Sequence, residues 1–500
     1  MNERGCGLLI HITSLPSKYG VGDLGKSAFD FVDVLSDSGQ SYWQILPLNR
    51  PDDYSYSPYF STSSFALNPM LIGFDGLLAE GFLNREDIEE KNGFFPAGSV
   101  DFPKASAYKY HLLDKAYENF LRKRKKNDFN KFCQSESYWL EDYALFTALK
   151  NKFNKESWDK WPEEIRNRKP AAMESAKKRL KKDIKREKFF QFIFYKQWFA
   201  LKTYSAEKRI KIIGDIPIYV GYDSCDVWAN NQIFKLDENK HPFVVSGVPP
   251  DYFSKTGQLW NNPVYKWEVL KETKYDWWVK RMKHMFKFFD VMRIDHFRGL
   301  VQYWEVPATE KTAVNGYWQS VPTYDFFDTL MKEIESFPVI AEDLGHITDD
   351  VREAMAHYGF PGMKIFQFAF GEDNPDHPYL PHTYKENCVA YTGTHDNNTL
   401  MGWLENEVNE EQKKRLLAYL KIDEIRPDIN WVIMEQLMAS LADIVIFPVQ
   451  DVLGLGSDAR MNRPQVASGN WRWRLLPDSI KKIHMDKLRN LTKLTARDIR

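Results

Sequence analysis

Short apolar runs recur along the chain, and stretches of helical periodicity separate most of them. In the first helical stretch, apolar residues fall at positions i, i+3, i+4 and i+7, namely Ala28, Phe31, Val32 and Leu35. The runs short enough to be strands cover residues 7–11, 42–47, 210–215, 291–295, 338–342, 363–367, 389–392 and 443–448. Short strands that alternate with amphipathic helices predict an α/β protein.

The run at 291–295 illustrates one such helix-strand unit. An apolar stripe at helical spacing, from Tyr275 to Phe289, precedes it. Asp295 stands where the strand should end, and Arg293 and His296 flank it. At the carboxyl end of a strand, an acid with these neighbours can stay ionised and point at a substrate. On this motif alone, a helix-capping aspartate in a salt bridge is the alternative.

Eight strands alternating with helices predict a (β/α)₈ TIM barrel. An open doubly wound sheet would also alternate, but no G-x-G-x-x-G motif follows any predicted strand. We expect residues 1–500 to form one catalytic barrel domain with two long insertions. Residues 50–209, between the second and third strands, are expected to hold a helical subdomain. Residues 220–273, between the third and fourth strands, combine proline, glycine and aromatics, which predicts a shaped active-site loop and not a regular element.

Composition excludes several classes of function. The 500 residues carry a formal net charge of −1, which argues against an electrostatic grip on nucleic acid or acidic lipid. The charged stretch 176–186 therefore predicts a solvated helix face. A membrane-length apolar run and a signal peptide are both missing from the sequence, so we expect no membrane partner.

Cysteine and aromatic content add two expectations. The four cysteines are scattered without a C-x-x-C pair, a pattern typical of a reduced, cytoplasmic protein. Aromatic residues make up 15% of the chain and include 16 Trp, and flat aromatic faces suit stacking on sugar rings.

Acidic residues stand at or just after four predicted strand ends: Asp215, Asp295, Glu342 and Asp396. In a barrel these ends share the face that carries the chemistry. Cleavage of a glycosidic bond requires paired carboxylates, one to attack or stabilise the sugar carbon and one to protonate the leaving oxygen. The acid must keep its proton near neutrality, so burial or a neighbouring charge has to raise its pKa. For Glu342, the adjacent Asp343 is a candidate for that charge.

Metal binding is the rival use of the same groups. His11, His296 and His395 could join these acids around a divalent ion, but neither H-x-H nor H-E-x-x-H occurs in the sequence. G-x-S-x-G and P-loop motifs are also missing. We therefore expect neither a metal nor another cofactor.

Three motifs carry a resemblance to a known family. Arg-Ile-Asp-His at 293–296, Ala-Glu-Asp-Leu-Gly at 341–345 and Thr-His-Asp-Asn at 394–397 resemble the catalytic motifs of the 4-α-glucanotransferases. These enzymes, also called amylomaltases or disproportionating enzymes, form glycoside hydrolase family 77 of the α-amylase superfamily. The resemblance covers nearly the whole chain and extends to residues 12–17, 57–59, 214–218, 249–260 and 469–474.

The resemblance implies transfer of α-1,4-glucan segments from a donor maltooligosaccharide to the 4-hydroxyl of an acceptor glucan or glucose. The implied route is a retaining double displacement through a covalent glucosyl-enzyme. In that scheme Asp295 is the nucleophile, Glu342 is the general acid and base, and Asp396 holds the donor sugar hydroxyls.

The resemblance also implies substrate-binding roles. Arg293 would keep Asp295 ionised, and Trp260 and Gln258 would form the tip of an active-site cover spanning 247–260. Further contacts to the donor glucose would come from His395, His296, Asp215 and, by stacking, Tyr59. A scaffold role is the alternative for His296, Asp215, Tyr59 and Trp260. One departure is local, since Gln465 and Val466 stand where a small, glycine-like pair is expected.

Two other functions remain open from the sequence. One is an α-amylase-type hydrolase that passes the sugar to water, and the other is a non-catalytic glucan-binding protein. The expected partners are α-1,4-glucans and maltooligosaccharides, with no nucleic acid and no membrane. We expect a monomer or a weak homodimer.

Overall fold

The computed structural model describes residues 4–89, 95–123, 126–250, 254–466 and 468–498. Its strands are β1 (Gly5–Leu9), β2 (Tyr42–Gln44), β3 (Lys211–Pro217), β4 (Val244–Val248), β5 (Gln258–Pro263), β6 (Val291–Asp295), β7 (Gln302–Pro307), β8 (Tyr317–Ser320), β9 (Val339–Ala341), β10 (Gly362–Ile365), β11 (Cys388–Tyr391) and β12 (Ile444–Pro448). Its α-helices are α1 (Lys26–Asp37), α2 (Phe74–Ala79), α3 (Arg85–Glu89), α4 (Phe102–Arg122), α5 (Asn127–Ser135), α6 (Ser137–Lys152), α7 (Glu163–Arg166), α8 (Pro170–Arg179), α9 (Lys181–Glu207), α10 (Cys225–Ala229), α11 (Trp267–Glu272), α12 (Asp276–Phe288), α13 (Thr323–Glu333), α14 (Asp349–Tyr358), α15 (Leu400–Asn406), α16 (Glu410–Leu420), α17 (Ile429–Ala439), α18 (Val449–Val452) and α19 (Lys482–Leu494).

Eight parallel strands form the barrel, in the order β10-β11-β12-β1-β2-β3-β6-β9. The ring comes close to closure between β9 and β10, where the Ala341 N–H donates to the Pro361 carbonyl at 2.9 Å. The predicted TIM barrel is therefore confirmed. The first strand lies two residues earlier than predicted, because its ladder with β12 runs from Gly5 to Leu9.

Alternate strand residues fall into two separate apolar clusters. One lies inside the barrel and includes Leu9, Ile213, Val291, Ile340, Met363, Val389 and Ile444. The other joins the outward-facing strand residues to the helices, as where the Phe31 and Trp43 rings lie 5.0 Å apart. The alternation follows from strand geometry, in which successive side chains point to opposite faces. Full burial of each such side chain stabilises the fold by about 1.5–3 kcal/mol.

A second sheet, not predicted from the sequence, lies beside the barrel. Its strands are antiparallel in the order β5-β4-β7-β8. Residues 244–248 and 258–263 of the predicted loop region are thus regular strands, contrary to expectation. Proline and glycine misled the prediction because Pro263 ends an edge strand, where proline is tolerated. Residues 251–253 of the predicted active-site cover lie outside the described residues.

Helices occupy much of the connection between β2 and β3. The longest, α9, buries Phe189, Phe190, Ile193 and Trp198 along its length. Charged residues of the 176–186 stretch, such as Lys178 and Lys181, are exposed. None of the described helices combines the length and the apolar character that a membrane crossing needs.

Candidate active site

The register between β3 and β6 brings the first acids together. Asp215 pairs with Arg293, and Pro217 pairs with Asp295. Arg293 Nη1 lies 2.9 and 2.8 Å from the two carboxylate oxygens of Asp215. The same nitrogen lies 2.8 Å from Asp295 Oδ1. One buried guanidinium therefore bridges two carboxylates at the mouth of the barrel.

Arg293 dominates the electrostatics of this corner. Burial alone would lower its pKa, but Asp215 and Asp295 outweigh burial and raise the pKa well above its usual range. Burial raises the pKa of Asp215, Arg293 opposes that shift, and the Tyr59 hydroxyl donates to Asp215 Oδ2 at 2.6 Å. Because charged groups this deep need their partners, loss of either member would leave an uncompensated buried charge.

Glu342 follows β9 directly and faces the turn that follows Asp295. Its Oε2 accepts the His296 backbone N–H at 2.7 Å, and its Oε1 accepts the Leu344 backbone N–H at 2.8 Å. Burial raises the pKa of Glu342 to about 7, with a further upward contribution from Asp295, while Arg293 and the two N–H groups act against it. A carboxylic acid with this pKa can both give and take a proton near neutrality.

Asp343 does not play the part suggested for it by sequence. Its Oδ1 accepts the Met363 backbone N–H at 2.7 Å, so the carboxylate ties β9 to β10. The acid whose charge raises the pKa of Glu342 is Asp295, which is distant in sequence. Proximity in sequence favoured Asp343, whereas proximity in space makes Asp295 the acid that raises the pKa of Glu342.

His296 and Trp260 line one side of the two carboxylates. His296 adopts a left-handed backbone with φ of 52°, and burial lowers the pKa of its imidazole to about 4. The Trp260 ring meets His296 edge-on at 4.7 Å. Gln258 is exposed, and its Oε1 accepts the Trp260 indole N–H at 3.2 Å. Gln258 is thus linked to the cluster through Trp260.

Tyr59, His395 and Asp396 form a second group of contacts in the site. The Tyr59 and His395 rings are stacked, with centroids 5.1 Å apart and planes 16° apart. His395 Nε2 lies 3.4 Å from Asp396 Oδ2. The structure therefore places all ten candidate residues in one connected cluster.

Two side chains of this site were missed by sequence reasoning. Asn462 Nδ2 donates to Asp396 Oδ1 at 2.6 Å, and the Trp471 ring lies 5.7 Å from the Tyr59 ring. Both lie in segments that the resemblance covers, but no periodicity or spacing assigns them a contact. Their placement depends on the return of the chain over the barrel, where the Asn462 N–H donates to the His395 carbonyl at 3.1 Å.

The departure at Gln465 and Val466 lies in an exposed turn beside Asn462. The Asn470 side chain closes this turn, since its Nδ2 donates to the Val466 carbonyl at 2.7 Å. The two larger residues therefore point to solvent, with Val466 45% exposed.

His11 is buried near His395. Burial, with a smaller contribution from His395, lowers the pKa of His11 to about 3. Within the described ranges, no group of three or more His, Cys, Asp or Glu side chains has the arrangement of a metal site. The expectation of a metal-free, cofactor-free site stays a prediction.

A TIM barrel with two interacting carboxylates at the carboxyl ends of its strands, one of them with a pKa near 7, defines a class of enzyme. Enzymes that act on glycosidic bonds use such a pair, and the arrangement of Asp295 and Glu342 matches that pattern.

Comparison with known proteins narrows the class to a family. A family model described as 4-alpha-glucanotransferase matches residues 10–479. The 4-alpha-glucanotransferase of Clostridium butyricum is 46% identical over 489 residues, covering 98% of this chain and 100% of that protein. The Thermus thermophilus 4-alpha-glucanotransferase is 44% identical over 503 residues, covering 99% of each chain. A solved structure, the amylomaltase of Streptococcus agalactiae in complex with acarbose, superposes with a TM-score of 0.95 at 39% identity, covering 99% of this chain and 100% of that one.

The chain belongs to the 4-alpha-glucanotransferase family. The predicted family and the predicted transferase are thereby confirmed, and the comparisons support this function over the hydrolase and the non-catalytic binding protein.

Proposed function

We propose that Asp295, Glu342 and Asp396 carry out glucan transfer by a retaining double displacement. The observation that carries this proposal is the contrast between two acids joined through one turn. Asp295 is paired with Arg293 at 2.8 Å, whereas burial raises the pKa of Glu342 to about 7. A carboxylate paired with an arginine suits a nucleophile, and a buried carboxylic acid with a raised pKa suits a proton donor.

In the first step, an oxygen of Asp295 attacks the anomeric carbon of the donor sugar. Arg293 holds Oδ1, which leaves Oδ2 to form the new bond. As the glycosidic bond breaks, protonated Glu342 gives its proton to the leaving oxygen. The products are a glucosyl ester on Asp295, a free reducing-end glucan and ionised Glu342.

In the second step, the ester is transferred to the acceptor. Ionised Glu342 takes the proton from the acceptor 4-hydroxyl, whose oxygen attacks the same carbon and releases Asp295. The backbone N–H groups of His296 and Leu344 stabilise the ionised form of Glu342 between the two steps. Two inversions at one carbon retain the α configuration.

The side chains around these acids would bind the donor sugar. Asn462 holds Oδ1 of Asp396 and His395 lies 3.4 Å from Oδ2, so the carboxylate is oriented toward the sugar hydroxyls that it would bind. His395 and Tyr59 offer a ring edge and polar atoms on the same side. Trp260, edge-on to His296, would limit water access to the ester.

The test is incubation of the purified protein with maltotriose, followed by chromatography of the products. The wild type should yield glucose together with chains longer than maltotriose. Asp295→Asn should abolish the ladder, because an amide cannot form the ester.

Asp349→Asn is the matched control, because Asp349 has a side chain 91% exposed at the start of α14. This variant should keep the full ladder. An Asp295→Asn enzyme that still elongates maltotriose would refute the assigned mechanism.

We further propose α-1,4-glucans and maltooligosaccharides as the partners of this chain. Acarbose, the ligand of the S. agalactiae amylomaltase, is expected to compete for the same cleft. We also keep the cytoplasm as the proposed location, supported by Cys6, Cys133, Cys225 and Cys388. All four lie in the described ranges, and no disulfide joins any two of them. A monomer or weak homodimer without nucleic-acid or membrane partners remains our expectation.

A further inference from the structure

The second sheet carries a pair of indole rings that the proposed mechanism does not use. Trp304 on β7 and Trp318 on β8 are directly opposed in the antiparallel register. Their rings lie 5.2 Å apart at 67°. The Trp304 indole N–H donates to the Ala313 carbonyl at 2.8 Å, which fixes that ring, whereas Trp318 is 36% exposed.

Trp318 is joined to the catalytic loops through Arg298. The Arg298 guanidinium carbon lies 3.9 Å from the centroid of the Trp318 ring. Arg298 follows Asp295 by three residues, and its Nη1 donates to the carbonyl of His346, in the loop that begins at Glu342. Three residues span at most about 11 Å, so the Arg298 backbone lies close to that of Asp295, and the Arg298 side chain extends from there to the Trp318 ring.

Gly345 lies in the exposed loop that follows Glu342. Gly345 has φ of +81°, and a Cβ built there would meet no atom within 4 Å. The position of a side chain at residue 345 is therefore open, in the same loop whose His346 carbonyl accepts from Arg298.

We propose that Trp318 is a stacking platform for the acceptor glucan, and this proposal rests on the proposed function. Glu342 exchanges its proton with the departing and the incoming oxygen, so acceptor sugars lie on the Glu342 side of the nucleophile. An exposed indole held by Arg298 on that side presents an apolar surface to a glucose ring beyond the first acceptor position. Trp318 is thus a specificity-determining residue for acceptor length.

Acceptor length provides the test. Glucose fills only the position next to Asp295, whereas maltohexaose extends to Trp318. With amylose as donor, Trp318→Ala should raise the KM for maltohexaose as acceptor about tenfold, the worth of one aromatic contact. The KM for glucose as acceptor should stay within about twofold of the wild type, well below that tenfold effect. Trp318→Phe, which keeps a ring, should recover most of the loss.

The matched control is Phe243→Ala, because Phe243 is also an exposed aromatic, at 52%, in the segment before β4. This control should change neither KM. An unchanged maltohexaose KM in Trp318→Ala, or equal rises for both acceptors, would overturn the platform. A wild-type enzyme that elongates neither acceptor would instead overturn the proposed function, so the two failures are distinguishable.

Discussion

At the scale of single residues, Glu342 is the side chain whose surroundings determine the chemistry. Two backbone N–H groups favour its ionised form, and burial together with Asp295 favours its protonated form. The balance leaves a pKa of about 7. A group that must be an acid in one step and a base in the next needs such a midpoint, since either extreme would stall one step.

The donor half-reaction should therefore depend on pH through Glu342. Because the pKa is raised, the proton is present below pH 7 and is lost above it. We expect kcat/KM for the donor to fall above an apparent pKa of about 7, as measured by a pH–rate profile with maltotriose. Glu342→Gln should remove this alkaline limb and lower the rate by about 10²–10⁴-fold.

Asp343→Asn is the control for this profile. The amide oxygen of asparagine can still accept the Met363 N–H that Asp343 accepts. The alkaline limb should therefore persist. If it moved with Asp343 and not with Glu342, the assignment of the general acid would be wrong.

At the scale of elements, the β4–β5 hairpin borders the site. Val248 pairs with Gln258 across the hairpin, and Trp260 on β5 reaches His296. Transfer requires that water, at far higher concentration than any acceptor, be kept from the ester on Asp295. We expect the connection between these strands to bias the outcome toward transfer.

This expectation is tested by replacing residues 249–257 with a two-residue Asn-Gly turn, which suits an antiparallel hairpin. The ratio of glucose released to chains transferred should rise roughly tenfold, equal to about 1.4 kcal/mol between the two barriers. A Gly/Ser replacement of the original length separates the effect of length from that of the side chains. An unchanged ratio in both variants would refute a role for this connection.

At the scale of the whole molecule, a buried ion pair ties the helical insertion to the barrel. Lys109 on α4 is fully buried, and its Nζ lies 2.8 Å from Asp23 Oδ2, in the segment between β1 and α1. Burial lowers the pKa of Lys109, and Asp23 acts against that shift. The pair holds two parts of the fold in one relative position.

Lys109→Met should destabilise the protein by about 3–5 kcal/mol, because Asp23 would be left buried without its partner. Chemical denaturation measures this change.

The exposed Lys104 of the same helix is the control, since its pairing with Asp101 is solvated, at 70% and 37% side-chain exposure. Lys104→Met should change stability by about 0–1 kcal/mol. A double variant, Lys109→Met with Asp23→Leu, should recover part of the loss, and equal destabilisation by Lys104→Met and Lys109→Met would refute the argument.

Much of the barrel was predictable because strand and helix patterns are local. The strand at 291–295 lies where the apolar run placed it, and the ends of the others shift by a few residues. The antiparallel sheet was not predictable. Its strands β5, β4, β7 and β8 lie outside the alternation of strands and helices that predicts the barrel. Short strands of mixed polarity, such as Tyr317–Ser320, carry no distinctive period.

The sequence by itself determined the fold class, the family and the identity of the acidic residues, since these depend on periodicity and on motifs of a few consecutive residues. Only the tertiary structure decided which groups interact. Arg293 bridges Asp215 and Asp295. Asn462 orients Asp396, and the charge of Asp295 raises the pKa of Glu342. The physical reason is that proton affinity depends on burial and on charges within a few ångströms. Burial and the distances between charges depend on strand register and on the return of the chain over the barrel. The spacing of residues along the chain predicts neither.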